Sequence, residues 1–417
     1  MRLSQLVCLA IGAATANAAY SGDIVQYWVE QASLLQNGTI IGGLQSPPWA
    51  WANAAVTGAI LEAAVKSKKG SLAYQQLAVS HAAHNILNWA FHATRNYNAV
   101  DAALRSILPS IGLAANTTEG KEATAIGRKA AAKVAEARAD DGLNDFVDFV
   151  YGPKNPTVYQ QSPGANPYPD TPQARFVKPF AGLGNITRFR APPPPKLTDK
   201  AYEDSVVEVK AIGSLNSTTR SAYDTDTAYI WRESSISVWN RIAHSVVGSS
   251  LATKVADSAK FYAQLNYALA NAAIAAWDTK FFYVSWRPVT AIQRTDIWLP
   301  SHLNVSDPSW TPLLRPTPSH PDYVSTHSTF GGAASAVIRA WNGGDKVQAT
   351  FSSNVTLDNR GVLTRTYTSL EEAAKENARS RVFGGIHFTF AGAAGIALGD
   401  AVALATLKEF DDHWDEF

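Results

Sequence analysis

The sequence predicts an all-α protein built of helical bundles. Apolar residues recur at intervals of three and four along most of the chain, few segments alternate with period two, and Ala is used heavily where helices need small packing faces. With 417 residues, 46% of them hydrophobic and 17% charged, the chain can bury a large core in one or two domains.

Taken in order, residues 1–18 read as a secretory signal. Arg2 precedes an apolar run, "LVCLAIGAA", and Ala16-Asn17-Ala18 offers a small-x-small cleavage site. Export is therefore expected. Residues 19–150 form an N-terminal helical half. Its segments are "DIVQYWVEQASLL", "PPWAWANAAVTGAILEAAVKS", "SLAYQQLAVSHAAHNILNWAFHA", "NAVDAALRSILPSI" and "EGKEATAIGRKAAAKVAEARAD", punctuated by Gly and Pro. Residues 151–198 form a connector: eleven of the 21 prolines fall between Pro153 and Pro195, too many for a helix, so an extended wrap is expected. Residues 199–417 form a second helical domain carrying "DSAKFYAQLNYALANAAIAAWDTKFFYVSW", "THSTFGGAASAVIRAW", "SLEEAAKENARSRVFGG" and "AGAAGIALGDAVALATLKEF". No segment beyond the signal is expected to span a membrane. The most apolar, Phe390 to Leu407, contains Asp400 and small residues at helical spacing, which reads as a core helix.

Composition narrows the function. Without Arg2 the chain carries 35 basic and 35 acidic residues, so it has no electrostatic pull toward nucleic acid or an anionic membrane, and neither partner is expected. Its single Cys and single Met, Cys8 and Met1, both lie in the signal, leaving a mature chain with no sulfur and no disulfide. Loss of the most oxidisable side chains suits life beside a strong oxidant. Six sequons, at Asn37, Asn116, Asn185, Asn216, Asn304 and Asn354, fit a secreted glycoprotein. His81, His84 and His92 share a helix but no carboxylate or thiol completes a metal set in the sequence pattern, and His413 sits in an acidic, solvated tail. There is no nucleotide-binding glycine fingerprint and no zinc-protease motif.

Three segments of the second half can carry chemistry. In "KFFYVSWRP", Lys280 and Arg287 are seven residues apart, two helical turns, so both cations fit one face of a helix that ends before Pro288; a snorkelling Lys and a surface Arg are the plain alternative. In "SHPDYVSTHSTFGGA", Ser325, Thr326 and His327 stand where a loop becomes a helix, with Ser325 as cap, and a helix N-terminus favours anions. In "SRVFGGIHF", Arg381 and His387 do not share a helical face, but Gly384-Gly385 can break the helix and let them converge; a satisfied core histidine beside Phe388 is the plain alternative. Together these supply cations, donors and two imidazoles, which is what a tetrahedral oxyanion requires.

The order K-x6-RP, S-x-H before a Gly-rich helix, and SR-x5-H resembles the signature of the superfamily of vanadium-dependent haloperoxidases and type 2 phosphatidic acid phosphatases. "EARADDG", "KPF", the Pro-rich stretch and "EVKAIGSLNSTTR" are similar to its soluble haloperoxidase-like branch. The resemblance implies an α-helical bundle and a vanadate cofactor. On this reading Lys280, Arg287 and Arg381 bind vanadate oxygens, Ser325 gives its hydroxyl and Thr326 its backbone N–H. His387 is the ligand to the metal and His327 the acid-base group, while Trp277 and His320 line the halide side, the latter favouring bromide. The implied reaction is Lewis-acid catalysis. Hydrogen peroxide becomes a peroxo ligand on vanadate at His387, with His327 taking its proton and Lys280 polarising it; halide is oxidised to a hypohalous species that halogenates an organic acceptor. Three departures stand out: Thr326 for the usual Gly, Val324 for a common Pro, and Ala391 where the motif ends in Asp. Two other functions fit the same residues. One is an acid phosphatase with His387 as nucleophile and His327 as general acid; the other is a secreted scaffold without catalysis.

Overall fold

The computed structural model describes residues 19–38, 46–91, 97–294, 305–355 and 357–417. The signal-like segment with Met1 and Cys8 lies outside these residues, as do His92, Asn304 and the side chain of Asn37.

In the first half, helices α1 (Ile24–Gly38), α2 (Ser46–Ser67), α3 (Leu72–Ala90), α4 (Tyr97–Ile107) and α5 (Thr118–Arg138) follow one another closely. Most of α2 is buried, as its nearly continuous apolar and Ala-rich sequence requires of a central helix. The second half comprises α6 (Lys200–Ile212), α7 (Ala222–Ile230), α8 (Ser235–Val247), α9 (Val255–Tyr283), α10 (Pro288–Gln293), α11 (Thr326–Asn342), α12 (Leu370–Phe383) and α13 (Thr389–His413). Helix α9 packs on α2, α11 and α13, and one hydrophobic cluster runs from Ile24 to Phe417 through both halves, with Trp28, Trp49, Trp239 and Tyr262 fully buried in it. The fold is all-α, as expected.

Apart from two short 3₁₀ turns, Pro172–Phe176 and Ile186–Phe189, the Pro-rich segment wraps the bundle without a helix. It is tied to both halves. The backbone N–H of Lys178 donates to Asp141 O at 2.9 Å, and the Asn271 amide exchanges hydrogen bonds with the backbone of Phe180 at 2.8 and 3.0 Å. Arg138 stacks 3.4 Å above the Phe180 ring.

One element was not expected. Strands β1 (Lys346–Val355) and β2 (Gly361–Ser369) form an antiparallel hairpin between α11 and α12. Period-two burial is present in β1, where Ala349, Phe351, Ser353 and Val355 face inward, but two of those four are small or polar and the apolar alternation is faint. Phe351 packs on Trp231 at 4.9 Å between ring centroids, and Ser353 Oγ donates to Glu233 Oε2 at 2.7 Å. The hairpin thereby braces the loop that reaches His327.

Glycines set the approach of α11 to α13. A Cβ at Gly399 would lie 1.9 Å from the carbonyl oxygen of Thr329, one at Gly332 would lie 2.1 Å from that of Ile396, and one at Gly395 would lie 2.6 Å from that of Ser325. Any side chain there would push the helices apart. By length and composition α13 is apolar enough to cross a membrane, although no segment beyond the signal was expected to pass for a span. Its inner face, including Gly392, Gly395, Gly399 and Val402, is buried.

Candidate active site

Lys280 lies in the last turn of α9 and is completely buried; its Nζ donates to the carbonyl oxygens of Pro321 at 2.7 Å and Asp322 at 3.1 Å. The shared helical face expected for Lys280 and Arg287 does not exist. Helix α9 ends at Tyr283, Val284 adopts the left-handed conformation, and Arg287 is the N-cap of α10, held extended (φ −88°, ψ 157°) before Pro288. The cations are nonetheless brought to one region, and Arg287 is also fully buried, which removes the snorkelling and surface alternatives. Its guanidinium donates to His320 O (2.8 Å), Ile386 O (2.7 Å) and His387 Nε2 (3.0 Å), and faces His320 Nδ1 at 3.0 Å.

Ser325 occupies the N-cap position of α11, but its hydroxyl caps nothing. This corrects the expected Ser cap: the hydroxyl is buried without a partner, and the same is true of Thr326 Oγ1 and of Arg381 Nε. Val324 is buried and follows a cis peptide bond. Helix α12 ends at Phe383, Gly384 caps it and Gly385 takes a positive φ of 74°, a conformation that favours glycine. Six residues after Arg381 the chain has reversed enough to bury His387 against Arg287. His327, in the first turn of α11, directs Nε2 at Glu233 O (3.3 Å). A carbonyl only accepts, so Nε2 carries the proton and Nδ1 keeps its lone pair. Trp277 and His320 face each other with ring centroids 5.0 Å apart.

The electrostatics follow from this burial. Burial and then the Lys280 and Arg287 charges hold His320 well below its ordinary pKa. His387 is held down by burial, Arg287 and Lys280, and His327 by burial and Arg381. Lys280 is lowered far below 10.5, again by burial with Arg287 beside it, and Arg381 falls to about 9. Sequence reading missed Asp322. It is fully buried and pushed up to about 7 by desolvation, which the two neighbouring cations only partly offset. An acidic residue between two candidate histidines was the signal that could have found it. Lys280 and Arg287 face this fully buried carboxylate, and the Arg381 charge adds to theirs around His327 and His387, an excess of positive charge that an oxyanion would neutralise.

The same shifts predict acid sensitivity. His81 (about 4), His320, His327 and His387 have depressed pKa values, so below pH 6.5 the unfolded chain binds protons that the folded chain refuses, and stability falls as pH falls. Asp322 and Asp170 (about 6) have raised values and act oppositely, offsetting two of the four. The net effect expected is a loss of about 2 kcal/mol between pH 6.5 and 5.5, read as a falling urea midpoint.

A helical bundle that gathers buried cations, two imidazoles and unpartnered donors has the chemistry to hold an oxyanion. Residues 260–416 match the family model of the second helical-bundle domain of vanadium chloroperoxidase (VCPO). A vanadium chloroperoxidase of Curvularia inaequalis is 26% identical over a match covering 58% of this chain and 50% of that protein, so the chain spans about half the length of this curated relative. Among solved structures, a bacterial vanadium-dependent iodoperoxidase superposes with a TM-score of 0.75 at 21% identity, covering 93% of this chain and 96% of the other. A bacterial vanadium-dependent chloroperoxidase in its holo form gives 0.75 at 18%, covering 96% and 99%. Residues 260–416 thus match that domain family, and the fold of the chain is similar to that of the vanadium-dependent haloperoxidases.

Proposed function

We propose that this protein is a vanadate-dependent haloperoxidase that uses hydrogen peroxide to oxidise halide, bromide in preference, and passes the hypohalous product to an organic acceptor. The observation that carries this reading is that three buried cations, Lys280, Arg287 and Arg381, act together on His327 and His387, while Ser325 Oγ, Thr326 Oγ1 and Arg381 Nε are buried without a partner. Such orphans are rare in native proteins and call for an acceptor.

Those residues fit vanadate. Lys280, Arg287 and Arg381 would hold its oxygens, Ser325 and the Thr326 N–H would donate to it, and His387 would ligate the metal. Bound vanadate supplies Lewis-acid activation of peroxide. His327, with Nε2 tied to Glu233 O, offers Nδ1 to take the proton that hydrogen peroxide releases. Lys280, fully buried beside the loop before α11, would donate from Nζ to an oxygen of the bound group and so draw charge from it. His320 against Trp277 forms the halide side, and the His there is the basis for proposing bromide. We also propose export and N-glycosylation, for which Asn116, Asn185, Asn216 and Asn354 are exposed.

The test is bromination of an organic acceptor with peroxide and vanadate, run beside hydrolysis of an aryl phosphate and vanadium analysis. Bromination with vanadium uptake supports the proposal. Phosphate hydrolysis without vanadium uptake would replace it with the phosphatase reading, and failure of both would leave a scaffold. His327→Ala is expected to lower bromination by about 10²–10⁴-fold, the usual worth of a general base, while vanadate affinity changes far less. An equal fall in both would assign His327 to binding instead.

A further inference from the structure

We infer that Asp322 is the positioning carboxylate for His387, supplied from the loop before α11 in place of the acid that the superfamily motif carries four residues after the histidine. The inference rests on the proposed role of His387 as the vanadate ligand, but its first observable does not require vanadate.

Position 391 is Ala, fully buried, and only its backbone is engaged, with Ala391 O accepting the Ser325 N–H at 2.9 Å. No side chain there can orient the imidazole. Asp322 Oδ1 instead lies 2.8 Å from His387 Nδ1, with both side chains at most 4% exposed. The approach is close but off the line of an ideal hydrogen bond, since neither Asp322 oxygen completes one with a side chain in this arrangement. The other ring nitrogen gives independent information. Arg287 Nη1 stands 3.0 Å from Nε2 and 3.5 Å from Nδ1, and a guanidinium can only donate, so the nearer nitrogen, Nε2, is the one that presents its lone pair. A neutral imidazole then carries its proton on Nδ1, and the carboxylate oxygen is the group beside it. The lone pair that a metal ligand requires is thus left on the nitrogen facing the cations.

Asp322 is itself pinned. Its backbone N–H donates to Ser285 O at 2.9 Å, and its carbonyl oxygen accepts from Lys280 Nζ at 3.1 Å. One residue therefore connects the end of α9, the Lys280 cation and the His387 ring. Asp322 touches no substrate in this account; it acts through His387.

The experiment has two readouts. On the unloaded full chain with ¹⁵N-labelled histidine, with the His387 signals assigned by their loss in His387→Ala, the ring nitrogen shifts report the tautomer. The Nδ1–H form is expected in the wild type, and a mixed or inverted population in Asp322→Ala. An Nε2–H wild type overturns the inference even if Asp322→Ala fails to fold. The second readout is the dissociation constant for vanadate by equilibrium dialysis. Asp322→Ala and Asp322→Asn are expected to weaken it about 10- to 100-fold, with Asp322→Glu recovering part of the loss. An unchanged tautomer and unchanged affinity in folded Asp322→Ala overturn the inference. If wild type binds no vanadate while the tautomer shifts as expected, the positioning role stands and the haloperoxidase reading falls.

Discussion

Replacing His387 by Ala is expected to abolish vanadate uptake and to lower halide oxidation by more than about 10³-fold, beyond the 10²–10³ that loss of one electrostatic donor costs. The imidazole is only 3% exposed, with Nε2 3.0 Å from Arg287 Nη1, so its removal takes the proposed ligand out of the cationic cluster. Removing it leaves Arg287 Nη1 with Ile386 O still to donate to, and the fold should survive, which separates a lost ligand from a lost structure. His413→Ala is the control. That imidazole is surface-exposed and pairs with Glu416, remote in role from the cationic cluster, and its loss should change neither quantity. Vanadium retained at wild-type stoichiometry in His387→Ala would remove the assigned ligand and, with it, the proposed mechanism.

Gly399→Ala should destabilise the protein by about 3 kcal/mol, the upper part of the range for overpacking a core. In an isolated helix the same change would help by about 1 kcal/mol, because Ala is the better helix former. Packing wins here because the new Cβ would sit 1.9 Å from Thr329 O, a backbone atom that cannot swing aside. Helices α11 and α13 would have to separate, and α11 begins at Thr326, so the donors at its N-terminus move with it. A lower urea midpoint and weaker vanadate binding are therefore expected together. Gly344→Ala, where nothing lies within 4 Å, should change stability by less than about 0.5 kcal/mol. A Gly399→Ala protein that unfolds at the wild-type midpoint would show that the close crossing does not hold the site.

Much of the fold was legible because helical periodicity is local. The long apolar runs of α2, α9 and α13 and the proline cluster between the halves can be read from neighbours three or four residues apart. The hairpin was not, since Ser353 and Ala349 dilute the apolar half of its alternation, and its burial comes from Trp231 in a distant loop. The break at Gly384-Gly385 was readable from residue type. The end of α9 was misplaced: the Pro after Arg287 signals a boundary, whereas the helix had already stopped at Tyr283.

The candidate residues were named from types and spacing: Lys280, Arg287, Ser325, His327, Arg381 and His387 each stand in a short stretch whose chemistry a reader can recognise. What spacing does not contain is which ring nitrogen faces which partner. Only the tertiary structure put Asp322 beside His387 Nδ1 and Glu233 O beside His327 Nε2, because those contacts join segments 65 and 94 residues apart. Local sequence determines backbone conformation through short-range sterics and periodic burial, while protonation state depends on charges and dipoles within a few ångströms, whichever part of the chain delivers them.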